Sequence, residues 1–323
     1  MLPIAVDAMG GDRAPDDIVA GAHAAAAAGI PIVLVGPPGL DGIGDLPLIE
    51  ASEVIEMHED AAGGVRRKKD STLVRAAEAV RDGAASAMVS AGNTGATMAA
   101  ALLRMGRVKG VSRPAIATAI PVPGEQPNIL LDSGANAEVQ VEWLVQFAQM
   151  GSVYASHRLD IARPKVGLLS IGEEPGKGDS LRKEAYELLM AAPGINFVGN
   201  IEGRDLLTKK ADVVVTDGFT GNVALKALEG AMKAMFERLL GAFGETAEIK
   251  AHADALAPVV WPIVTELTPD TYGGAVLLGV DGVCIISHGS SGPTAMVNAI
   301  TLARDLVDSR LVDAITAAVA RPA

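Results

Sequence analysis

Six times along this chain a short apolar run ends in a glycine-containing polar loop and then gives way to a helical pattern. The first three are Ile4-Ala5-Val6 before Met9-Gly10-Gly11-Asp12, Ala87-Met88-Val89 before Ser90-Ala91-Gly92-Asn93-Thr94-Gly95, and Ile129-Leu130-Leu131 before Asp132-Ser133-Gly134-Ala135-Asn136. Val166-Gly167-Leu168-Leu169 leads to Ile171-Gly172-Glu173-Glu174, Val213-Val214-Val215 to Asp217-Gly218-Phe219-Thr220-Gly221-Asn222, and Cys284-Ile285-Ile286 to His288-Gly289-Ser290-Ser291-Gly292. Short apolar runs alternating with helices imply βαβ units, hence an α/β fold with a mainly parallel sheet and helices on both faces. The apolar residues are Ala, Val, Leu and Ile, with aromatics at only 3%, which suits strands buried on both sides.

With 323 residues and no stretch that reads as a flexible linker, residues 1–323 are expected to form a single α/β unit of two intimately packed lobes. Leu225, Leu228, Met232, Met235 and Leu239 recur at helical spacing, while Lys226, Lys233 and Glu237 occupy other faces. Another helix begins near Leu181, runs through Tyr186, Leu189 and Met190, and stops at Pro193-Gly194. Residues 246–269 break the rhythm and read as a protruding helical or apolar hairpin. Pro258 and Pro262 argue against a long regular helix there. Two readings of this hairpin stay open: packing on the body or a dimer partner, and an apolar tip with Trp261 at a lipid interface.

Charge and motif content exclude several function classes. A net charge of −12 argues against generic nucleic-acid binding. The chain opens without a basic, signal-like region, and no apolar stretch reaches the roughly 18 residues of a membrane span, so a cytoplasmic protein is expected. The single cysteine, Cys284, sits in an apolar run and reads as strand packing. There is no G-x-G-x-x-G opening a helix, no H-E-x-x-H, no cysteine cluster and no G-x-S-x-G, and residues 172–178 lack P-loop spacing. His23, His58, His157, His252 and His288 are scattered singly, so no metal and no cofactor are expected.

In open α/β sheets, ligands bind where strand ends feed helix N-termini, because free N–H groups and the helix dipole there attract anions. Glycine lets the backbone approach the anion, and Thr or Ser adds a hydroxyl. Ser90 to Gly95 and Asp217 to Asn222 meet these needs, although glycine and asparagine in such turns also serve the bend or the cap alone. Several such loops in one sheet converge on one edge. His288 sits in another strand-end glycine loop, and Lys177 lies in the flexible run Gly172 to Asp179. The basic run Arg66-Arg67-Lys68-Lys69 is either a solvated face or a docking point for an acidic partner.

Taken in order, these loops resemble those of the bacterial acyl-carrier-protein:phosphate acyltransferase family. The matching stretches are Val6 to Asp12, Ser90 to Gly95, Lys109-Gly110-Val111 with Arg113-Pro114-Ala115, Leu131 to Asn136 and Gly172-Glu173-Glu174. They continue through Phe197 to Asn200 with Glu202 to Asp205, Asp217 to Asn222, Tyr272-Gly273-Gly274 and His288 to Ser291. Arg13, Ser133 and Glu138 depart from the residues common there, and the 246–269 segment lacks the basic richness of that family's membrane-proximal hairpin.

The resemblance implies a fold like isocitrate and isopropylmalate dehydrogenases, usually as a homodimer. It also implies transfer of a fatty acyl group from acyl-carrier protein to inorganic phosphate, feeding phospholipid synthesis through a membrane glycerol-3-phosphate acyltransferase. Peripheral contact with the inner face of the membrane near Trp261 is the expectation of the apolar-tip reading of residues 246–269, and the missing basic richness there departs from the family's membrane-proximal hairpin.

Such chemistry needs no catalytic triad. Phosphate is already partly dianionic, as a monoester pKa of about 6 indicates, and a thiol of pKa about 8.5 leaves readily. Positioning supplies roughly 7–11 kcal/mol and each oxyanion donor about 2.7–4 kcal/mol. Gly92, Asn93, Thr94, Gly95, Ser133, Thr220 and Gly221 are the expected phosphate and oxyanion cradle, with Asn222 a catalytic donor among them. Lys177 and Arg204 are expected to neutralise phosphate, and His288 to assist the leaving thiolate. The enzyme alternative is a phosphotransacylase using an acyl-CoA thioester. A dehydrogenase of related fold lacks an acidic metal cluster here, and a non-catalytic membrane scaffold is the remaining rival.

Overall fold

In the computed structural model, which describes residues 2–320, all six apolar runs are strands of one eleven-stranded sheet. The strands are β1 (Ile4–Asp7), β2 (Ile32–Gly36), β3 (Leu48–Glu50), β4 (Ala87–Ser90), β5 (Ala115–Val122), β6 (Glu125–Leu131), β7 (Lys165–Leu169), β8 (Asn196–Ile201), β9 (Val213–Val215), β10 (Ala275–Leu278) and β11 (Val283–Ile286). The helices are α1 (Asp16–Ala27), α2 (Ala61–Arg67), α3 (Thr72–Arg81), α4 (Thr94–Arg104), α5 (Val141–Leu159), α6 (Ser180–Ala191), α7 (Gly218–Phe243), α8 (Ala247–Glu266), α9 (Pro293–Asp308) and α10 (Leu311–Val319).

Alternation along each strand sorts side chains to the two faces. Ile4 and Val6 join a core with α1, α5, α9 and α10, while Ala5 and Met88 face the opposite core under α3 and α4. Leu130 and Val214 meet Leu225 and Leu228 of α7 in a third cluster. Helices thus cover both faces, as the rhythm predicts.

The strand order is β3-β2-β1-β4-β11-β10-β5-β6-β9-β7-β8. Ladders are parallel except at β11–β10, β10–β5 and β5–β6. Those central antiparallel pairings reverse the sheet: β1, β4 and β11 run one way, and β6, β9, β7 and β8 the other. Leu131 at the end of β6 therefore lies opposite Ala117, and Ile286 at the end of β11 lies opposite Ala275, whose neighbour Val276 also pairs with Ala117. The loops that leave both sets of carboxyl ends meet over β5 and β10.

Residues 246–266 differ from the sequence expectation of no long regular helix, because α8 carries Pro258 and Pro262 in its interior. An interior proline removes an N–H and costs about 3 kcal/mol. No residue of α8 is buried, so the carbonyls freed at Asp254 and Pro258 face water instead of an apolar core. The apolar row on α7 also splits. Leu225 and Leu228 pack on the sheet, whereas Met235 and Leu239 are exposed. No helix among the described residues is long and apolar enough to cross a membrane.

Candidate active site

A cleft of about 310 Å³ opens where the reversed sheet brings the loops together. Gly92 and Thr94 line it from β4–α4, Ser133 from the end of β6, Asn222 from α7 and His288 from the end of β11. Its apolar wall is Ile116, Ala119, Leu225, Tyr272 and Ile286.

One side of the cleft is built on a buried carboxyl. Asp7, at the end of β1, accepts from Ser90 Oγ at 2.7 Å and from the Met9 N–H at 3.2 Å. Gly92 donates its N–H to the same Ser90 hydroxyl at 3.0 Å. Burial pushes the Asp7 carboxyl above the ordinary range, against the lowering effect of hydrogen bonds from Ser90, Thr72, Met9 and Gly10. A Cβ on Gly10 would stand 2.5 Å from Asp7 Oδ2 and 2.7 Å from Gly92 N, so only glycine fits where the two loops touch. The Gly92 amide is consequently spent on Ser90, and Gly92 offers the cleft its Cα rather than a donor.

The neighbouring Asn93 also departs from its expected role. Its Oδ1 caps α4 by accepting from Ala96 N at 3.0 Å, and its Nδ2 donates to the carbonyls of Met57 (3.0 Å) and Glu59 (3.1 Å). Asn93 is an anchor for the segment that places Met57 in the cleft. Gly95 packs its Cα toward Ala61 of α2. What remains open at the α4 N-terminus is the Thr94 hydroxyl and the N–H groups of Thr94 and Gly95, which have no acceptor among the described residues.

On the opposite side, Asp132 organises the next loop. Its Oδ1 accepts from the N–H groups of Ile116, Gly134 and Ala135, and its Oδ2 from Asn136 N and Nδ2. Ser133 donates its hydroxyl to Ile116 O at 3.1 Å and accepts from Thr118 Oγ1 at 2.6 Å. A Cβ on Gly221 would collide with Asp132 O. Gly221 is therefore a packing contact that seats α7 on this loop, not an anion donor.

Thr220 is likewise occupied. Asp217 caps α7 through Thr220 N at 2.8 Å, and Arg182 Nη2 donates to Thr220 Oγ1 at 3.0 Å and to Asp217. Burial raises the Asp217 pKa, but hydrogen bonds from Thr220 and Arg182 outweigh it and hold the carboxyl below its usual value. These residues border a separate groove with Asp179 and Phe219.

Lys177 and Arg204 are not among the residues that line the cleft. Arg204 is 73% exposed and pairs with Glu202 and Glu173, and the Lys177 side chain folds over Gly172. The cation that lines the cleft is Lys226, 2.9 Å from Glu229. The spacing of Asn222, Leu225, Lys226 and Glu229 puts them on one helical face, a signal that marks Lys226 once Asn222 is chosen. Asp12 and Tyr272 also line the cleft, and no local sequence pattern marks them as site residues. Among Arg66, Arg67, Lys68 and Lys69, Lys68 is committed to Glu59 and to Val54 O at 2.6 Å. Arg66, Arg67 and Lys69 are exposed and make no ion pair among the described residues.

His288 is exposed at the rim. Its Nδ1 accepts from the Ser290 N–H at 3.3 Å and lies 2.8 Å from Ser290 Oγ. A ring nitrogen accepting a backbone N–H carries no proton, which assigns the proton of the neutral ring to Nε2. No group of His, Cys, Asp and Glu side chains able to hold a metal occurs among the described residues.

The chain matches the family described as "Fatty acid synthesis protein" over residues 2–313. It is 48% identical over 327 residues to the phosphate acyltransferase of Desulfitobacterium hafniense (strain Y51), covering 98% of this chain and 96% of that protein. The structure resembles a phosphotransacetylase from Streptococcus pyogenes at a TM-score of 0.63 and 16% identity, covering 94% of each chain. It also resembles a 4-hydroxythreonine-4-phosphate dehydrogenase from Klebsiella pneumoniae at a TM-score of 0.52 and 15% identity, covering 95% of this chain and 100% of that one. These last two are likenesses of fold, which place the sheet among phosphotransacetylase-like and dehydrogenase-like architectures.

Proposed function

The chain belongs to the fatty acid synthesis protein family, an enzyme family whose relatives are phosphate acyltransferases, and on that premise we propose that its cleft transfers a fatty acyl group from acyl-carrier protein to inorganic phosphate. The observation that carries this reading is the juxtaposition in one cleft of the open α4 N-terminus at Thr94 with the apolar wall of Ile116, Leu225 and Tyr272. The first suits a phosphate and the second an acyl chain.

Phosphate held at Thr94 and Gly95 attacks the thioester carbon. A C–O bond forms as the carbonyl becomes an oxyanion, and its collapse breaks the C–S bond to give acyl phosphate and a thiolate. Asn222 and the His288 Nε2–H line the same cleft and would donate to the developing charge on oxygen or sulfur, whereas the Ser133 hydroxyl is already given to Ile116 O. With a thiol pKa of about 8.5, the departing thiolate takes its proton from water. Lys226 offsets phosphate charge that Asp12 and Glu229 on the same cleft would otherwise repel.

Arg66 and Arg67 at the end of α2 and Lys69 just beyond it make no ion pair among the described residues, and α2 packs its Ala61 on Gly95 of α4; these cations suit an acidic carrier protein. Acyl phosphate is a labile anhydride, so delivery to a membrane glycerol-3-phosphate acyltransferase for phospholipid synthesis fits a cytoplasmic enzyme touching the inner face of the membrane near Trp261. The exposed apolar residues Met235, Leu239, Leu256 and Val259 on α7 and α8 supply a surface for a second copy in a homodimer.

The test is thioester loss and acyl phosphate formation by the purified enzyme, with acyl-carrier protein and with acyl-CoA, each with and without phosphate. Phosphate-dependent loss from acyl-carrier protein is the expected result. Turnover of acyl-CoA alone would make the enzyme a CoA-dependent phosphotransacylase, and no phosphate dependence with either donor would sink the transfer reading.

A further inference from the structure

Outside the cleft, a second groove of about 200 Å³ runs along α4, between Met98, Ala99 and Leu102 on one side and Pro114 and Ala135 on the other. Its floor is Leu277, whose cross-strand partner Ile116 lines the reaction cleft. Gly95 begins the groove one residue beyond Thr94 of the cleft. At its far end, Leu102 and Arg113 are shared with an open pocket that adds Arg107, Ser112 and Trp143. The cleft, the groove and this pocket therefore follow one another along a single helix.

The far end is cationic and held in place. Arg113 stacks over the Trp143 ring, 5.1 Å from its centroid. Arg107 donates to Ser112 O, and Gln146 fixes the segment by accepting from Ser112 N at 2.8 Å and donating to Gly110 O at 3.0 Å. Arg107, Lys109 and Arg113 are exposed and make no ion pair among the described residues, in a chain of net charge −12. A guanidinium left without a carboxylate partner beside an apolar groove suits a phosphate.

We infer that this groove seats the phosphopantetheine arm of the carrier-borne acyl donor, with the thioester at Thr94 and Ser133 and the phosphodiester at Arg113 and Arg107. The inference rests on the thioester-to-phosphate reading of the cleft. Length supports it. Eight residue steps from Thr94 to Leu102 span about 12 Å at the usual helical rise. The pantetheine chain has about as many backbone atoms as four extended residues, or about 13 Å. The methylenes and paired methyl groups of the arm match Met98, Ala99 and Leu102, and its phosphate matches the two guanidinium groups. An acidic carrier then rests on Arg107, Lys109 and Arg113, while Gly95 packed on Ala61 places the cations of α2 beside the same helix.

The chain has two tryptophans, so in a Trp261→Phe enzyme Trp143 alone reports arrival at Arg113. Phosphopantetheine should change Trp143 emission at about tenfold lower concentration than pantetheine, the worth of one charge-assisted contact. Arg113→Gln should erase that difference. In parallel, Arg107→Glu and Arg113→Glu should raise KM for acyl-carrier protein about tenfold more than KM for the truncated thioester acyl-N-acetylcysteamine, which has no phosphate. Equal titration by phosphopantetheine and pantetheine overturns the assignment. So does a response of Trp143 to fatty acid alone, which would make the groove an acyl site, or a KM effect confined to acyl-CoA. The titration involves no turnover and reads the groove independently, whereas absence of phosphate-dependent thioester loss in the wild type would defeat the transfer reading instead.

Discussion

Ser90 donates its hydroxyl to Asp7 Oδ2 at 2.7 Å, with both side chains buried, and this contact ties the end of β1 to the end of β4 behind Gly92, which lines the cleft. Because Ser90 Oγ also accepts the Gly92 N–H, the pair sets the approach of the chain into the α4 N-terminus. Burial raises the Asp7 pKa above 3.8, so between 3.8 and the raised value the folded state binds more protons than the unfolded one. Stability from this group is present below 3.8 and is lost as pH rises through the folded pKa. Denaturant midpoints measured against pH should fall across that window in the wild type and stay flatter in Asp7→Asn. Parallel curves would refute the account.

The N–H of Thr94 can be deleted without breaking α4, because proline is tolerated at the first helical position and Asn93 already has an extended ψ of 113°. Thr94→Pro should lower kcat/KM for phosphate about a hundredfold, in the range for loss of one oxyanion-type donor. Thr94→Ala removes only the hydroxyl and should cost about tenfold or less. Equal losses would place the phosphate away from this amide.

Asn93 has two jobs that separate by substitution. Asn93→Asp keeps the cap oxygen for Ala96 N but sets a carboxylate against the carbonyls of Met57 and Glu59. It should therefore destabilise the protein by at least as much as Asn93→Ala, which loses the cap at about 1 kcal/mol. Thermal denaturation of both variants decides the point, and an Asp variant as stable as wild type would remove the anchoring role.

Lys226→Met should raise KM for phosphate severalfold, while Lys177→Ala and Arg204→Ala should stay within about twofold of wild type. The reason is placement, since Lys226 lines the cleft and the other two do not. Steady-state kinetics on the three variants reverses the assignment if Lys177→Ala is the damaging one.

Cys284 is fully buried, and desolvation pushes its thiol up to about 12. The native enzyme should resist a thiol reagent at neutral pH and react once denatured. Rapid labelling of the native state would contradict the strand packing of β11.

Site residues were legible in the sequence to the extent that their role is local. His288, Asn222, Ser133, Gly92 and Thr94 could be named because each follows an apolar run in a glycine loop, and the structure brings those five into one cleft. Asn93, Thr220 and Gly221 carry the same local pattern but are spent on Met57 and Glu59, on Arg182, and on the Asp132 backbone. Their partners lie 34 or more residues away for Asn93, 38 for Thr220, and across the β6 loop for Gly221. No spacing rule reaches that far. Lys226 escapes sequence reasoning for the opposite reason: spacing marks its helix, but which face of α7 meets the cleft depends on how α7 sits on β5 and β6.

The alternation of apolar runs, glycine loops and helical spacing by itself determined an α/β sheet with anion-suited loops at its strand ends, because strand and helix periodicities are properties of neighbouring residues. The reversal at β10, β5 and β6, which brings two opposed sets of strand ends over one cleft, came only from tertiary structure. So did the division of polar groups into those already satisfied and those left open. A donor is available to a ligand only when no distant part of the chain has claimed it, and that is decided by long-range packing.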